Sequence, residues 1–223
     1  MVAYHEHNEA RTIPRILDRL AGGEDLALVS DAGTPLLSDP GARLVAAAIE
    51  QGMQVVPIPG ASALLASLVA SGLDGERFTF FGFLPRQGRQ RQDALRAVLQ
   101  SANTAVIYEA PARTASTLAA LSEAGAAGRR AVVARELTKK FEEFRRGTVE
   151  ELAAYYLDAA PRGEVVILIG PGEEVIADEG ALSATAERLS AEGLSPRDVA
   201  RRLTEDFGVP RNLAYRLAQG AAG

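Results

Sequence analysis

A loop of small and polar residues follows the first short apolar run of the chain. Residues 26–30 (Leu-Ala-Leu-Val-Ser) predict a buried strand, and Asp31, Gly33 and Thr34 come directly after it. Open α/β sheets bind ligands at the carboxyl ends of their strands. Asp31 offers a carboxylate, Thr34 offers a hydroxyl, and Gly33 lets the backbone approach a ligand closely. The pattern predicts a site for a small polar ligand.

A second loop of this kind follows the strand predicted at residues 54–58. It is the turn Pro57-Ile-Pro-Gly-Ala-Ser-Ala63, whose small residues Ser62 and Ala63 open a helix. Together the two loops would enclose a small ligand. Proline, glycine, aspartate and serine also serve ordinary strand–helix turns, so two purely structural connections are the alternative interpretation.

The elements that must position these loops alternate in the manner of an α/β protein. Beyond the two strands already given, strands are predicted at residues 78–81, 104–108, 131–135 and 164–169, and one more around 141–146. Helices are predicted at residues 11–20, 42–51, 63–72, 90–100, 113–123 and 149–159. The pattern restarts near residues 73–77, which predicts a domain boundary.

The alternation of predicted strands and helices stops after Gly172, and from residue 180 onward the sequence predicts only helices. Ser195-Pro-Arg-Asp198 is a helix start, with serine as the cap and proline at the first position. The turn Gly208-Val-Pro210 leads into a helix at 211–219, which completes a helix-turn-helix outline. A small helical cap without nucleic-acid contact is the alternative. The predicted domains are 1–75, 76–172 and 180–223.

Composition excludes several classes of protein. Of the 223 residues, 47% are hydrophobic and 24% are charged, which is the composition of a globular protein. Without cysteine there is no thiol nucleophile and no cysteine-ligated metal. No apolar run reaches the ~20 residues of a membrane span, and the N-terminus lacks the pattern of a signal peptide. We therefore expect a cytoplasmic protein that does not associate with membranes.

The net charge of −5 argues against coating of nucleic acid through bulk charge, yet the cations are clustered. Residues 84–100 carry a net charge of +3, and residues 129–146 carry +4. Both runs suit contact with phosphates, and solvated surface is the alternative. The candidate RNA contacts in and between these runs are Arg86, Arg89, Arg91, Arg113, Lys139, Lys140, Arg145 and Arg146.

His5 and His7 lie beside Glu6 and Glu9 at the start of the first helix. That composition is compatible with a metal site, but helix capping and contacts between domains are the better interpretation. We predict no metal.

Many ordered motifs between residues 4 and 170 resemble one family, the bacterial ribosomal RNA small subunit methyltransferase I group of the tetrapyrrole methylase superfamily. The motifs are Tyr4-His-Glu-His-Asn-Glu9, Ser30-Asp-Ala-Gly-Thr-Pro35, Ser38-Asp-Pro-Gly41, Pro57-Ile-Pro-Gly60, Gly82-Phe-Leu-Pro-Arg86, Tyr108-Glu-Ala-Pro-Ala-Arg113, Arg135-Glu-Leu-Thr-Lys139, Arg146-Gly-Thr148 and Gly163-Glu164. The resemblance implies a two-domain α/β tetrapyrrole-methylase-like fold with a small all-α C-terminal module.

The resemblance also implies a function. The expected reaction is transfer of a methyl group from S-adenosylmethionine to the 2′-hydroxyl of a cytidine in 16S rRNA of the small ribosomal subunit, by a homodimer. The cofactor would be bound by Asp31, Ala32, Gly33, Thr34, Ser62, Ala63, Tyr108, Glu109 and Leu137. A general base is expected but not identified. Glu109 and Lys139 are weak candidates, and Lys139 would have to be neutral to serve as one.

Two other functions stay open at this point. One is methylation of a tetrapyrrole or another small molecule, and the other is non-catalytic binding of nucleic acid. The arginine runs and the helical tail favour RNA as the substrate.

One part of the family pattern has no counterpart in this sequence. The family begins with a strand and a Pro-Ile-Gly-Asn loop, followed by an Ala-Glu-Asp-Thr-Arg segment. Because that loop helps to form the cofactor pocket in the family, we expect an N-terminal domain incomplete at its start. We also expect weak cofactor binding by residues 1–223.

Overall fold

The computed structural model describes residues 1–172, 179–207, 209 and 211–221. Contacts divide the chain into two compact units, Met1–Gly170 and Pro171–Gly223. The further division predicted at residues 75–76 does not emerge from these contacts and stays a prediction. No helix in the described ranges is both long enough and apolar enough to span a membrane.

A five-stranded mixed sheet organises the first unit. Its strands are β1 (Phe78–Phe83), β2 (Thr104–Glu109), β3 (Arg130–Arg135), β4 (Glu143–Thr148) and β5 (Val165–Ile169). Their order across the sheet is β1-β2-β5-β3-β4, with β1 and β2 parallel and the other neighbours antiparallel. Residues of the central strand β5 are buried throughout, which explains its uninterrupted apolar sequence.

Helices cover both faces of this sheet. The helices of this unit are α1 (Glu9–Ala21), α2 (Ala42–Glu50), α3 (Ala63–Ser71), α4 (Gly88–Leu99), α5 (Thr114–Leu121) and α6 (Val149–Asp158). Helix α3 lies on one face of the sheet and α4, α5 and α6 lie on the other, whereas α1 and α2 pack against each other. Successive strand residues point to opposite faces, so Ile107 and Val106 enter different cores. Ile107 packs in the cluster that includes α4, α5 and α6, whereas Val106 packs against Leu64 and Leu68 of α3.

Two predicted strands are wrong. Residues 26–30 and 54–58 are mostly apolar, but neither segment has strand structure. Strands need a neighbouring backbone to satisfy their amide and carbonyl groups, and the described chain places no paired strand beside either segment. Their side chains are correspondingly open to solvent, as at Val29, Val56 and Ile58.

The second unit has its own core. It contains α7 (Glu179–Ala191), α8 (Pro196–Phe207) and α9 (Arg211–Gly220), packed through residues such as Leu182, Val199 and Leu203. The predicted start of α8 is confirmed, because the Ser195 hydroxyl accepts a hydrogen bond from the Asp198 amide at 3.2 Å. Gly208 and Pro210 of the predicted turn lie outside the described residues.

Candidate functional site

Two adjoining cavities form a cleft in the first unit. Their volumes are about 310 and 190 Å³, and both are lined by Gly33, Ala63 and Glu164. The structure brings all nine cofactor residues predicted from the sequence to this cleft, namely Asp31, Ala32, Gly33, Thr34, Ser62, Ala63, Tyr108, Glu109 and Leu137. Residues up to 106 positions apart in sequence therefore surround one space.

The two loops of the first wall are linked to each other. The Thr34 hydroxyl donates a hydrogen bond to the Ala61 carbonyl at 3.1 Å. Gly33 has a φ of +70°, a conformation that favours glycine, and no atom lies within 4 Å of the position of a Cβ there. The backbone at Gly33 is thus open to a ligand.

Tyr108 forms the opposite wall at the end of β2. Its hydroxyl accepts a hydrogen bond from the Leu64 amide at 3.1 Å, and so satisfies one of the free amides in the first turn of α3. Its ring packs edge-on against Phe80 and Phe83, with centroids 4.9 and 5.7 Å away. Burial raises the pKa of Tyr108, so the phenol stays protonated at neutral pH.

Glu109 is buried beside the cleft with partners for both carboxylate oxygens. It accepts hydrogen bonds from the Ala110 amide at 2.8 Å and from the Thr117 hydroxyl at 2.6 Å, and it pairs with Arg113. Thr117 in turn accepts a hydrogen bond from Arg91 at 2.9 Å. Since internal donors occupy the carboxylate, the geometry favours a structural role for Glu109 over proton transfer.

The loop between β3 and β4 carries Leu137 and lines the smaller of the two cavities. Glu136 adopts a φ of +50°, and its carboxylate accepts a hydrogen bond from the Glu164 amide at 3.0 Å. Only glycine fits at position 163, because its φ is +82° and the Cβ of any other residue would overlap the Glu136 carboxylate. The sequence motif Gly163-Glu164 thereby finds a structural explanation.

Lys139 lies between two carboxylates on this loop. Its Nζ is 3.0 Å from Glu164 Oε2 and 3.1 Å from Glu136 Oε1. Hydrogen bonds to Glu164 and Glu136 raise the pKa of Lys139. A lysine held in the charged form is unsuited to act as a base.

The structure separates the eight candidate RNA contacts into two groups. Five make contacts within the protein, namely Arg91, Arg113, Lys139, Arg145 and Arg146. Arg86, Arg89 and Lys140 are exposed, and Arg89 has one ion pair, with Asp93 at 3.8 Å. Lys140 lies 5.5 Å from the centroid of the exposed Phe141 ring.

Several lining residues were missed by the sequence analysis. Ser38, Asp39, Phe83 and Val166 line the larger cavity without having been assigned a role. The signal was present for the first three, because Ser38-Asp-Pro-Gly41 and Gly82-Phe-Leu-Pro-Arg86 are among the family motifs of the sequence. His5 and His7 line a neighbouring groove, and the described residues contain no cluster of three metal-binding side chains.

Comparison with known proteins assigns the family. Residues 3–153 match the Tetrapyrrole (Corrin/Porphyrin) Methylases. The chain is 48% identical to ribosomal RNA small subunit methyltransferase I of Mesorhizobium japonicum, over 97% of this chain and 74% of that protein. The chain is also 43% identical to ribosomal RNA small subunit methyltransferase I of Pseudomonas aeruginosa, over 98% of this chain and 79% of that protein. The chain belongs to this methyltransferase family.

Solved structures show the same fold. Cobalt precorrin-4 methyltransferase is 18% identical, with a TM-score of 0.55 over 71% of this chain and 69% of that one. Diphthine synthase is 18% identical, with a TM-score of 0.56 over 74% of this chain and 65% of that one. The predicted tetrapyrrole-methylase fold is thereby confirmed.

The enzyme is a methyltransferase that uses S-adenosylmethionine, as its family does. Uroporphyrin-III C-methyl transferase from Thermus thermophilus, solved with S-adenosyl homocysteine, is 19% identical with a TM-score of 0.51 over 73% of each chain. The cleft suits such a ligand chemically. Leu137, Ala63 and Val166 offer apolar walls for a base, while Asp31 and Thr34 offer oxygens for ammonium and hydroxyl groups.

Proposed function

We propose that this enzyme methylates the 2′-hydroxyl of a cytidine in 16S rRNA of the small ribosomal subunit. The supporting observation is the close identity, over nearly the whole chain, to proteins named ribosomal RNA small subunit methyltransferase I. The cleft that gathers all nine predicted cofactor residues supports it further.

In the proposed mechanism, the protein mainly positions two reactants. The cofactor, when bound, supplies a methyl group on a sulfonium sulfur. Asp31, Thr34 and the open backbone at Gly33 would hold its polar parts, and Leu137 with Ala63 would hold its base. Holding the two reactants in line lowers much of the activation barrier of methyl transfer. The entropy cost of bringing them together is met when they bind, before the reaction begins.

For the RNA we propose contacts at the eight cations predicted from the sequence, led by Arg86, Arg89 and Lys140. These three are exposed and sit in the two positively charged runs of an otherwise acidic protein. A confined basic surface favours one docking orientation over general coating of RNA.

Two further features complete the proposal. The chain is proposed to be a homodimer, supported by the exposed apolar side chains of Leu65 and Val69, which lie one turn apart on α3. The proposed location is the cytoplasm, where small ribosomal subunits are assembled.

Incubation of unmodified small subunits with the chain and methyl-labelled cofactor tests the reaction. We expect label in 16S rRNA, mapped to a single 2′-O-methylcytidine. Label in a tetrapyrrole mixture, with none in RNA, would contradict the proposal.

An Asp31→Ala variant tests the cofactor contact directly. We expect at least tenfold weaker binding of S-adenosylmethionine by calorimetry, because an exposed oxygen ligand of the cleft is lost. Asp25→Ala, another exposed aspartate of the same segment, is the matched control and should bind like the unchanged chain. Equal affinity of the two variants would count against the assignment of Asp31.

A further inference from the structure

An open groove of about 710 Å³ adjoins the cofactor cleft, and nothing above assigns it a ligand. Three residues, Ser38, Asp39 and Phe83, line both the groove and the larger cavity of the cleft. A substrate in the groove would meet the cofactor across these three residues.

We propose that this groove receives the acceptor nucleotide of the RNA, and that Asp39 takes the proton of its ribose hydroxyl. The inference rests on the proposed function, because it requires a ribose as the methyl acceptor.

Phe83 gives the groove an aromatic wall. It ends β1 and leaves 55% of its surface exposed, although its ring also packs edge-on against Tyr108 at 5.7 Å. Exposed aromatic faces are the usual platforms for unpaired bases, and stacking tolerates any base. A nucleotide stacked on Phe83 would place its sugar near the junction with the cleft.

Arg43 gives the groove one exposed cation, beside the carboxylates of Glu6 and Glu9 that line the same groove. Arg43 lies in the first turn of α2 and is 72% exposed, with Glu9 Oε2 at 3.8 Å as its ion-pair partner. His5 and His7 line the same groove. An exposed guanidinium beside an aromatic wall suits the phosphate of a nucleotide.

Asp39 is the carboxylate that lines both spaces and remains available. No hydrogen bond or ion pair joins its side chain to the described residues, whereas Glu109 and Glu164 are both engaged. The loop that carries it is tightly constrained. Ser38 has a φ of +62°, and a Cβ on Gly41 would lie 2.7 Å from Leu28 Cδ2. Strained backbone of this kind concentrates at functional sites.

The proposed step is balanced as written. The ribose oxygen forms a bond to the methyl carbon as the carbon–sulfur bond breaks and leaves its electron pair on sulfur. The hydroxyl proton passes to the Asp39 carboxylate and from there to water. A positioned acceptor contributes typically 10²–10⁴-fold to such a step.

The first test separates proton transfer from binding. In Asp39→Asn we expect single-turnover methylation of small subunits to fall about 100-fold. Affinities for S-adenosylmethionine and for RNA should stay within about twofold, because the amide keeps the size of the side chain. Asp18→Asn, an exposed aspartate of α1, is the matched control and should behave like the unchanged chain.

The second test measures the groove without any reaction. The probe is a short unpaired oligoribonucleotide containing one cytidine, followed by fluorescence anisotropy. We expect Phe83→Ala and Arg43→Ala each to weaken its binding about tenfold or more, as expected for loss of a stacking or phosphate contact. Phe207→Ala and Arg15→Ala, both at exposed positions, should leave it unchanged.

The outcomes distinguish this inference from the proposed function. If Asp39→Asn methylates subunits at the full rate, or if both groove variants bind the oligoribonucleotide like their controls, the inference is overturned while the proposed function stands. The inference also fails if the unchanged chain does not bind the oligoribonucleotide. Failure of the unchanged chain to methylate subunits counts against the proposed function, and the binding test still decides the role of the groove.

Discussion

Buried charge at the cleft is stabilised by local partners. Glu109, at the end of β2, pairs with Arg113 four positions further along the chain, and the Thr117 hydroxyl completes the hydrogen bonding of the carboxylate. Arg113 also donates to the Leu84 carbonyl at 3.1 Å, so this network connects three segments around the cleft. Removing one partner of such a pair leaves the other charged and poorly solvated.

Glu109→Gln tests this network. We expect the free energy of unfolding in urea to fall by about 2–3 kcal/mol, because the Arg113 guanidinium loses its counter-charge while keeping some exposure to solvent. Glu123→Gln, at an exposed position, should change stability by less than about 0.5 kcal/mol. A loss as small as that of the control would show that Glu109 is not a structural anchor.

Ionisation of Tyr4 should lower the stability of the folded protein at high pH. Burial raises its pKa to about 12 from 10.0, and its hydrogen bond to Glu9 Oε1 at 2.8 Å adds to the shift. The raised pKa means that the contribution to stability is complete below pH 10 and is lost as pH rises towards 12.

A difference titration of tyrosinate absorbance between the unchanged chain and Tyr4→Phe measures this pKa. The difference should show one ionisation near pH 12, and the stability advantage of the unchanged chain should disappear between pH 10 and 12. Tyr215→Phe is the control, since it leaves the Tyr4 step in place. An ionisation of Tyr4 near pH 10 would refute the buried hydrogen bond.

At the scale of elements, α3 is held against the sheet at both ends. Tyr108 satisfies an amide at its start, and Arg146 donates to the carbonyls of Ala70 and Ser71 at its end. The Tyr108 contact joins residues 44 positions apart in sequence, and the Arg146 contacts join residues at least 75 positions apart. Because α3 begins immediately after Ser62, its placement decides where one wall of the cleft lies.

Arg146→Ala should therefore destabilise the protein even though Arg146 is exposed. We expect a loss of about 1.5 kcal/mol in urea unfolding, because two carbonyls at the end of a helix lose a charged donor. Arg162→Ala, an exposed arginine without such contacts, is the control. If Arg146→Ala weakens RNA binding but leaves stability unchanged, its main role is contact with RNA.

At the scale of the whole molecule, the exposed apolar surface of the first unit is the feature that the fold leaves unexplained. Val69 is 83% exposed on α3, and Val56 and Ile58 are exposed on the unpaired segment before it. Exposed apolar patches mark interaction sites, and Leu65 and Val69 lie one turn apart on α3. The proposed homodimer would bury it.

Val69→Asp tests this interface by sedimentation. We expect the unchanged chain to sediment as a dimer and Val69→Asp as a monomer, because a carboxylate would have to be desolvated on association. Leu157→Asp, which places the same charge on the exposed face of α6, should remain a dimer. A monomeric unchanged chain would contradict the proposal.

The sequence by itself determined most of the local structure and predicted which residues gather at the cleft. Helices α1 to α6 and the five strands of the sheet lie close to their predicted positions, because apolar periodicity and turn residues act over a few positions. The nine residues predicted to bind the cofactor came from motif resemblance, and the fold brings all of them to one cleft.

Only the tertiary structure decided which residues meet. The largely apolar segments 26–30 and 54–58 predict strands, yet pairing depends on a partner backbone that local sequence does not report. Likewise, only the fold shows that Arg91 and Arg146, which stay predicted RNA contacts, also donate hydrogen bonds within the protein. The junction of groove and cleft at Asp39 and Phe83 is of the same kind. Local propensity sets what a segment prefers, but contacts between distant segments depend on how the whole chain packs.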